Sequence, residues 1–382
     1  MAKILVLLLQ NFNSLENYKY LFIVYSLFFV SIVLFCLLIN TILLKFSTTL
    51  GIRENEKPII RWSSVSRPAM GGISFYISFL LSTACFGIFF ESNDVFNDSQ
   101  AIALLSAASL AFLMGLADDA YNTRPFLKLF VQIACGAMLV LGAKYSSNQN
   151  HLLIIQLFEN DIYNYILTIL WVVGIMNSIN MLDNMDGITT ITSIFIILPC
   201  IFYISIHQNF ENFDYIALLG VLASLIAFLF YNLNPSKMFM GDSGSQFLGL
   251  FISAIGIKYL WNSTAFNGDV VVSKQIITVL LAFILPIIDT TSVVINRLSR
   301  KQSPFIGGKD HTTHHLSYLG FSDSQVGYIF LGISSLSSII CFAFFRFVDY
   351  WNHFSTIGFV IYFLAIFISL YWTTQKNKSK RK

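Results

Sequence analysis

Long apolar stretches alternate with short polar ones along almost the whole chain. Eleven of them are long enough to cross about 30 Å of hydrocarbon as helices. They are 21–46, 68–90, 100–117, 126–143, 162–181, 189–206, 215–232, 245–261, 275–296, 326–346 and 354–372. The longest polar interval, 297–325, is predicted to be a loop. The pattern predicts an all-α polytopic membrane protein, with residues 1–382 forming one integral-membrane domain.

The composition supports this prediction. Hydrophobic residues make up 56% of the chain and charged residues only 11%, whereas soluble domains carry about 25% charge. An ordinary water-soluble protein is therefore excluded. The net charge of +3 does not indicate a nucleic-acid partner. The five cysteines lie inside apolar stretches and show no metal-binding or disulfide spacing, so they are predicted to be small buried hydrophobic residues.

The distribution of basic residues predicts the orientation. With eleven spans, 17 of the 23 Lys and Arg residues fall in intervals on one side, and cytoplasmic loops carry such an excess. The amino terminus is then outside and the carboxyl terminus in the cytoplasm. The basic tail, 373–382, is expected to lie near anionic lipid headgroups rather than to bind a protein.

Four polar clusters fall on the predicted cytoplasmic side, and the first is Asp118-Asp119 at the end of the third span. Adjacent helical positions point about 100° apart, so both carboxylates can approach one site only at a helix end. A solvated end neutralised by Arg124 is the alternative. Carboxylates at a helix carboxyl terminus oppose the macrodipole, and this favours a functional pair.

The second cluster contains Asn177, Asn180, Asp183 and Asp186. Residues three apart share a helical face, so these side chains are predicted to line one stripe with oxygen atoms. Hard cations such as Mg²⁺ prefer oxygen ligands and commonly bring phosphates with them. Helix–helix hydrogen bonding would explain the two asparagines, but it would not explain the two carboxylates.

The third cluster centres on Asp242, between Gly241 and the sequence Ser243-Gly244-Ser245. The glycines allow backbone N–H groups to face an anion. A helix N-cap is the alternative, and for Ser245 it is equally well supported. For Asp242 a metal ligand is favoured, because three acidic sites now share one surface.

The fourth cluster lies in the polar interval and supplies donors and acceptors from Arg297, Lys309, Asp310, His311, His314 and His315. A zinc site with His311, His314 and Asp310 is one interpretation. A cationic loop that binds phosphates is favoured, because imidazole, ammonium and guanidinium groups all donate hydrogen bonds. Asp289 lies about two turns before Arg297 and is either a structural partner or a site residue.

Together the clusters predict one polar site at the membrane edge, suited to phosphates and accessible to a lipid substrate. Phosphoryl transfer needs mainly positioning and charge neutralisation, which these residues can supply. A transporter would place its polar groups nearer the bilayer midplane, and a membrane scaffold would not need four carboxylates and a histidine loop.

With these motifs in order from Pro68 to His315, the chain resembles the polyprenyl-phosphate N-acetylhexosamine-1-phosphate transferases, relatives of phospho-N-acetylmuramoyl-pentapeptide transferase. The resemblance implies that undecaprenyl phosphate attacks the β-phosphate of a UDP-N-acetylhexosamine and that UMP leaves. It also implies dependence on Mg²⁺, with Mn²⁺ as an alternative. The expected location is the bacterial inner membrane, with a periplasmic amino terminus and a cytoplasmic active site. A homodimer is one possible assembly.

The resemblance also implies roles for individual residues. Asp118, Asp119, Asp183 and Asp186 would be catalytic, Asp242 and Asp119 would bind metal, and Asn177, Asn180, Arg297, Lys309, His311, His314 and His315 would bind substrate. Two features depart from the family pattern: Asn184 replaces a common glycine, and the histidine motif is one residue longer than usual. Only His314 and His315 are adjacent, so the segment lacks the longer run of consecutive histidines expected of the muramoyl-pentapeptide enzyme. This favours the branch that starts surface glycans.

Overall fold

The structure is a computed structural model that describes residues 14–47, 67–90, 97–146, 152–207, 209–264, 271–303, 308–347 and 351–376. Within these ranges the protein is all-α, as predicted, and the one β-bridge pairs Ala69 with Phe239. This bridge joins the segment before the second helix to the segment before the helix that carries Asp242.

The α-helices are named in chain order. They are α1 (Ser14–Ser47), α2 (Gly71–Phe89), α3 (Ser99–Tyr121), α4 (Pro125–Lys144), α5 (Asp161–Leu182), α6 (Ile188–Ile206), α7 (Phe213–Asn232), α8 (Gly241–Gly256), α9 (Val272–Ala282), α10 (Ile284–Ser299), α11 (Thr312–Tyr318), α12 (Asp323–Phe347) and α13 (His353–Lys376). A π-helical turn, Ile257–Trp261, continues α8.

Nine helices of the described residues are long and apolar enough to cross a membrane, or up to ten if a bent pair counts as one span. The prediction of a polytopic membrane protein is confirmed, whereas the number eleven stays a prediction. Two predicted spans account for the difference. The span at 245–261 is α8 with its π-helical turn, and the span at 275–296 is α9 and α10, bent by 78°.

The bend between α9 and α10 has a local cause. Phe283 leaves the helical conformation with φ −99° and ψ 24°. Pro286 has no N–H with which to bond the carbonyl of Ala282, four residues earlier, so one continuous helix would lose a hydrogen bond here. Proline is tolerated in the first turn of a helix, where α10 places it.

Helix α8 lies at the centre of the bundle and packs against α2, α3, α5 and α6. Glycines allow two of these helices to approach its backbone. A Cβ added at Gly115 of α3 would lie 2.2 Å from the carbonyl oxygen of Asp242, and one at Gly72 of α2 would lie 2.1 Å from the nitrogen of Gly244. The start of α8 is therefore held by backbone-to-backbone packing.

The opposite end of α8 is held by a buried ion pair. Lys258 Nζ lies 2.5 Å from Oδ2 of Asp214 at the start of α7, and the Tyr259 hydroxyl donates to the same oxygen over 2.6 Å. Burying two charges is costly unless they are paired and hydrogen-bonded. Asp214 meets this condition, so the pair fixes the π-helical turn against α7.

Two predicted segment boundaries differ from the structure. Helix α10 extends to Ser299, so the interval 297–325 begins as helix and also contains the short helix α11. Helix α13 extends to Lys376, so the predicted tail 373–382 begins as helix as well. The rest of that tail, 377–382, lies outside the described residues.

Candidate active site

The carboxyl end of α3 carries Asp118 and Asp119, and the chain reverses immediately after them. Asn122 ends the helix in the left-handed conformation, with φ 52°. The backbone N–H and the hydroxyl of Thr123 then donate to Asp118 Oδ1 over 2.7 and 2.5 Å. Pro125 begins α4 with a φ already suited to a helix. This tight reversal brings the first turn of α4 beside Asp118.

Lys128, in that first turn of α4, bridges two carboxylates. Its Nζ donates to Asp242 Oδ2 over 2.8 Å and also contacts Oδ2 of Asp118. Lys128 is not among the site residues predicted from the sequence. Its only signal was its position ten residues after Asp118, and a basic residue near a span end is equally typical of the positive-inside rule.

Asp119 binds the start of α8 rather than the lysine. Its Oδ1 accepts from the backbone N–H of Asp242 over 2.8 Å and its Oδ2 from that of Ser243 over 2.9 Å. The first N–H groups of a helix lack partners within the helix, and a carboxylate there is favoured by the macrodipole. Asp119 thus orients Asp242 through the backbone, which differs from the metal-ligand role predicted for Asp119.

Asn180 of α5 completes the cluster at this end of the bundle. Its Nδ2 donates to Asp242 Oδ1 and to Ser245 Oγ, each over 2.8 Å. Lys128 and Asn180 therefore hold the two oxygens of Asp242 from opposite sides. We call Asp118, Lys128, Asn180 and Asp242 the charged layer.

One helical turn deeper, three of these four helices, α4, α5 and α8, contribute a second set of side chains. Gln132 follows Lys128 by four residues, Asn177 precedes Asn180 by three, and Gln246 follows Asp242 by four. Asn177 Nδ2 donates to Gln132 Oε1 over 2.7 Å, and Gln132 Nε2 donates to Gln246 Oε1 over 3.0 Å. We call Gln132, Asn177 and Gln246 the amide layer.

Asp183 and Asp186 do not lie on a helical stripe with the asparagines, which corrects the prediction. Helix α5 ends at Leu182, Asp183 caps it, and Gly187 reverses the chain with φ 78°. Asp186 accepts from the Ser236 N–H over 2.9 Å and from the Ser236 hydroxyl over 2.8 Å.

Two further groups bind Asp186: Arg67 Nη1 at 3.2 Å and Asn234 Nδ2 at 3.1 Å. The carboxylate thus ties the α5–α6 turn to the segments before α2 and α8. The catalytic role predicted for Asp186 stays a prediction. Asp183 is half-buried at the end of α5.

Arg297 and Asp310 form a two-point ion pair that closes the histidine loop. Arg297 Nε and Nη2 donate to the two carboxylate oxygens over 3.0 and 2.7 Å, and Arg300 Nη2 adds a bond of 2.8 Å. These guanidinium groups, working against burial, lower the pKa of Asp310 to about 2. Arg297 is buried in this pair, whereas the predicted substrate-binding residue Lys309 is exposed.

The three loop histidines are buried rather than solvent-facing. Burial, together with neighbouring His311, lowers the pKa of His314 to about 3, so this ring is neutral at pH 7. The positive charge predicted for the loop therefore does not come from His314. His311 instead meets Asp289, with Nδ1 2.8 Å from Oδ2. The prediction had left the role of Asp289 open.

Hydrogen bonds connect the histidine loop to the remaining clusters. The Thr313 hydroxyl donates to Asn184 Oδ1 over 2.6 Å, so the loop meets the turn that follows α5. The Thr290 hydroxyl of α10 donates to Ser178 Oγ of α5 over 2.8 Å. Because α5 also carries Asn180, the four clusters predicted from sequence lie at one end of the bundle.

The carboxylates can be tested against the predicted metal. Over the described ranges, no three His, Cys, Asp or Glu side chains form a metal-binding group, so the zinc interpretation gains no support. Asp118 and Asp242 nevertheless converge on one cationic group, the Lys128 ammonium. Mg²⁺ is typically bound by one or two carboxylates together with substrate phosphates, and this donor set fits that description.

The fold and the site define a polytopic membrane protein in which carboxylates and a lysine cluster at one end of the helical bundle. Residues 101–260, which include Asp118, Lys128, Asn180 and Asp242, match the model of glycosyl transferase family 4. The resemblance inferred from the motifs is therefore confirmed, because the model of a transferase family matches the part of the chain that carries three of the four clusters.

Relatives align with most of the chain. The chain is 28% identical over 276 residues to "Probable undecaprenyl-phosphate N-acetylglucosaminyl 1-phosphate transferase" of Bacillus subtilis (strain 168), covering 72% of this chain and 73% of the relative. It is 27% identical over 342 residues to a phospho-N-acetylmuramoyl-pentapeptide-transferase of Campylobacter jejuni, covering 78% and 88%. A transferase of the same name from Thermotoga neapolitana is 26% identical over 324 residues, covering 82% and 95%.

Proposed function

We propose that this protein transfers an N-acetylhexosamine-1-phosphate group from a UDP-sugar to undecaprenyl phosphate. A bond forms between a phosphate oxygen of the lipid and the sugar-bearing phosphorus. The bond from that phosphorus to the oxygen shared with the uridine monophosphate breaks, and UMP leaves. The product, a polyprenyl-diphospho-sugar, stays in the membrane and can begin a lipid-linked surface glycan.

The charged layer is the observation that carries this proposal. It places the Lys128 ammonium between Asp118 and Asp242 at the edge of a membrane bundle. An ammonium is a mobile point charge with three donors, and lysine is a common phosphate-binding residue. The position suits a reaction in which a lipid phosphate meets a water-soluble diphosphate.

The chain's own residues account for positioning and charge. Asp119 and Asn180 hold Asp242 from its backbone and from its side chain, and Lys128 neutralises phosphate oxygens. Asp242 with Asp118 would hold Mg²⁺, which when bound supplies positive charge to the diphosphate. The described cysteines are buried or half-buried in the apolar helices, and we propose a single displacement without a covalent enzyme intermediate.

A product analysis tests this function. Purified protein in detergent is incubated with undecaprenyl phosphate, Mg²⁺ and, separately, UDP-N-acetylglucosamine, UDP-N-acetylgalactosamine and UDP-glucose. We expect UMP and a lipid diphospho-sugar from an N-acetylated donor. UDP as the main nucleotide would reject the proposal, because it means that the sugar moved without its phosphate. A phosphorylated enzyme would reject the single-step mechanism.

A second candidate is transfer of phospho-N-acetylmuramoyl-pentapeptide. Relatives with that name align with 78% and 82% of this chain, slightly more than the 72% of the N-acetylglucosaminyl relative. UDP-N-acetylmuramoyl-pentapeptide therefore belongs in the same substrate panel. If kcat/KM for this substrate exceeds that for the UDP-N-acetylhexosamines more than tenfold, the second candidate function replaces the first.

We further propose that the site faces the cytoplasm of the bacterial inner membrane. The excess of basic residues on the side that carries the four clusters supports this orientation, and UDP-sugars are expected in the cytoplasm. A homodimer is the proposed assembly, and mass measurement in native membrane-mimetic particles tests it.

A further inference from the structure

Asp289 is a charged group buried inside a membrane protein, and its surroundings are specific. Its side chain is 1% exposed, and it lies in α10, six residues beyond the bend at Phe283. A carboxylate at this depth is costly unless it has partners, and such residues commonly serve a function. Because it is inaccessible, Asp289 cannot itself contact a nucleotide.

Three donors converge on this carboxylate. His311 Nδ1 lies 2.8 Å from Oδ2, while the backbone N–H and the hydroxyl of Thr312 donate to Oδ1 over 2.8 and 2.7 Å. An ionised carboxylate is an acceptor only. The imidazole proton of His311 must therefore lie on Nδ1, and the other ring nitrogen, Nε2, is directed away from Asp289.

The surrounding loop prevents His311 from leaving this position. Arg297, two turns after Asp289 on the same helix, pairs with Asp310, which directly precedes His311. Helix α10 therefore contacts three successive residues of the loop, Asp310, His311 and Thr312. The next residue after Thr312 also bonds across the site, since Thr313 donates to Asn184 beyond the end of α5.

We propose that Asp289 is a positioning residue that fixes the tautomer and orientation of His311, so that Nε2 of His311, when the ring carries a second proton, donates a hydrogen bond to the diphosphate of the UDP-sugar. The pair follows a general pattern in which a carboxylate orients an imidazole through one nitrogen and leaves the other for chemistry. Asp289 acts through His311 and touches neither substrate. This inference rests on the proposed transferase function.

The titratable groups around His311 come from several elements. They are Asp289 on α10, Asp310 before the ring with its partners Arg297 and Arg300, and His314 and His315 on α11. Only Asp289 bonds the His311 ring directly among these contacts, so a change in its charge should affect His311 first.

Two variants separate positioning from simple helix capping. Asp289→Asn keeps the shape but lets an amide N–H face His311, which would reverse the tautomer. Thr312→Val removes one hydroxyl bond to Asp289 and leaves the contact with His311 intact. Nitrogen-15 NMR of labelled histidines, assigned with His311→Gln, reads the tautomer in each protein without any need for turnover.

We expect the proton on Nδ1 of His311 in the native protein and in Thr312→Val, and on Nε2 in Asp289→Asn. In the UMP-release assay, Asp289→Asn should lower kcat at least tenfold with little change in KM. It should also alter the pH–rate profile between pH 5.5 and 8.5. Thr312→Val should leave that profile unchanged, and Asp289→Asn should cause no further loss in a His311→Gln background.

Several results would overturn the inference. A native Nε2 tautomer rejects the geometry directly. Equal losses in Asp289→Asn and Thr312→Val, with unchanged pH profiles, would mean that Asp289 only caps α11. Unchanged kcat in a folded Asp289→Asn protein rejects the role in catalysis. Failure of the transferase function is distinct, because then native protein releases no UMP although the tautomer is as expected.

Discussion

Lys128 Nζ lies 2.8 Å from Oδ2 of Asp242, although the two residues are 114 positions apart in the chain. The contact joins the first turn of α4 to the first turn of α8. Asp118 approaches the same ammonium from the end of α3. The ends of three helices thus meet at the Lys128 ammonium. In this position the ammonium could neutralise the charge of a phosphate.

Replacing Lys128 tests this arrangement. Lys128→Met leaves Asp118 and Asp242 facing each other without a cation, and like charges at short range repel. We expect UMP release to fall at least a hundredfold. Lys144→Met is the matched control, because Lys144 is exposed at the other end of the same helix, and its activity should stay within twofold. Comparable losses in both variants would contradict the assignment.

A substitution that alters no polar group should also inactivate the site. In Gly115→Ala the new Cβ would lie 2.2 Å from the Asp242 carbonyl oxygen, so α3 or α8 must shift. We expect at least a tenfold loss of kcat, since displacements of about 1 Å can cost a hundredfold. In Gly174→Ala the Cβ meets nothing within 4 Å, and activity should be retained. Native activity in Gly115→Ala would show that the approach of α3 is not required.

The metal requirement can be measured directly. We expect activity to be lost in EDTA and restored by Mg²⁺, and more weakly by Mn²⁺. Asp242→Asn keeps the size of the side chain but removes a charge, so it should weaken the binding of a hard cation and lower activity by orders of magnitude. Asp161→Asn, at the exposed start of α5, is the control. Full activity in EDTA would contradict the metal proposal.

The orientation predicts which positions react from outside the cell. Asn97 and Ser303 are both exposed and flank helices that end on opposite sides. In intact cells, a membrane-impermeant thiol reagent should label Asn97→Cys and spare Ser303→Cys. The native cysteines of the described residues are buried or half-buried and should give little background. Labelling of Ser303→Cys alone would reverse the topology.

Stability should fall in mild acid because of His314. Its pKa is about 3 in the folded protein and about 6.5 when unfolded. The contribution of neutral His314 to the free energy of unfolding is therefore complete above pH 6.5, and it declines as the pH falls from there towards 3. We expect the Tm of the native protein to decrease between pH 7.5 and 5.5, and we expect a smaller decrease in His314→Gln. Substituting the exposed His353 should not change that decrease, and an equal change in both variants would exclude this cause.

Hydropathy was sufficient to predict the helical bundle, because long apolar stretches have few structural alternatives in a membrane. It did not predict the bend at Phe283 or the π-helical turn after Gly256, since neither changes the average hydropathy. Pro286 was a local signal for the bend. The predicted spans left 182–188 as a loop, but the stripe through Asp183 and Asp186 was wrong, because a spacing of three residues is compatible with a helix and with a cap followed by a turn.

The site was predicted by residue type but not by role. The sequence identified Asp118, Asp119 and Asp242 as polar groups at span ends. It could not assign Asp119 to the backbone of α8 or Lys128 to the two carboxylates, because those partners come from helices far apart in the chain. Asp289 remained ambiguous for the same reason, since its partner His311 lies 22 residues away.

The buried pair of Asp214 and Lys258 bears on how the protein responds to an energised membrane. A single charge that moves across the membrane potential changes energy by about 2.3 kcal/mol per 100 mV. The two charges here lie 2.5 Å apart, so they share nearly the same depth, and the forces that the field exerts on them cancel. Helix α8, which carries Asp242 at its other end, therefore experiences no voltage-driven displacement from this pair. We expect the same geometry of the charged layer in resting and energised cells.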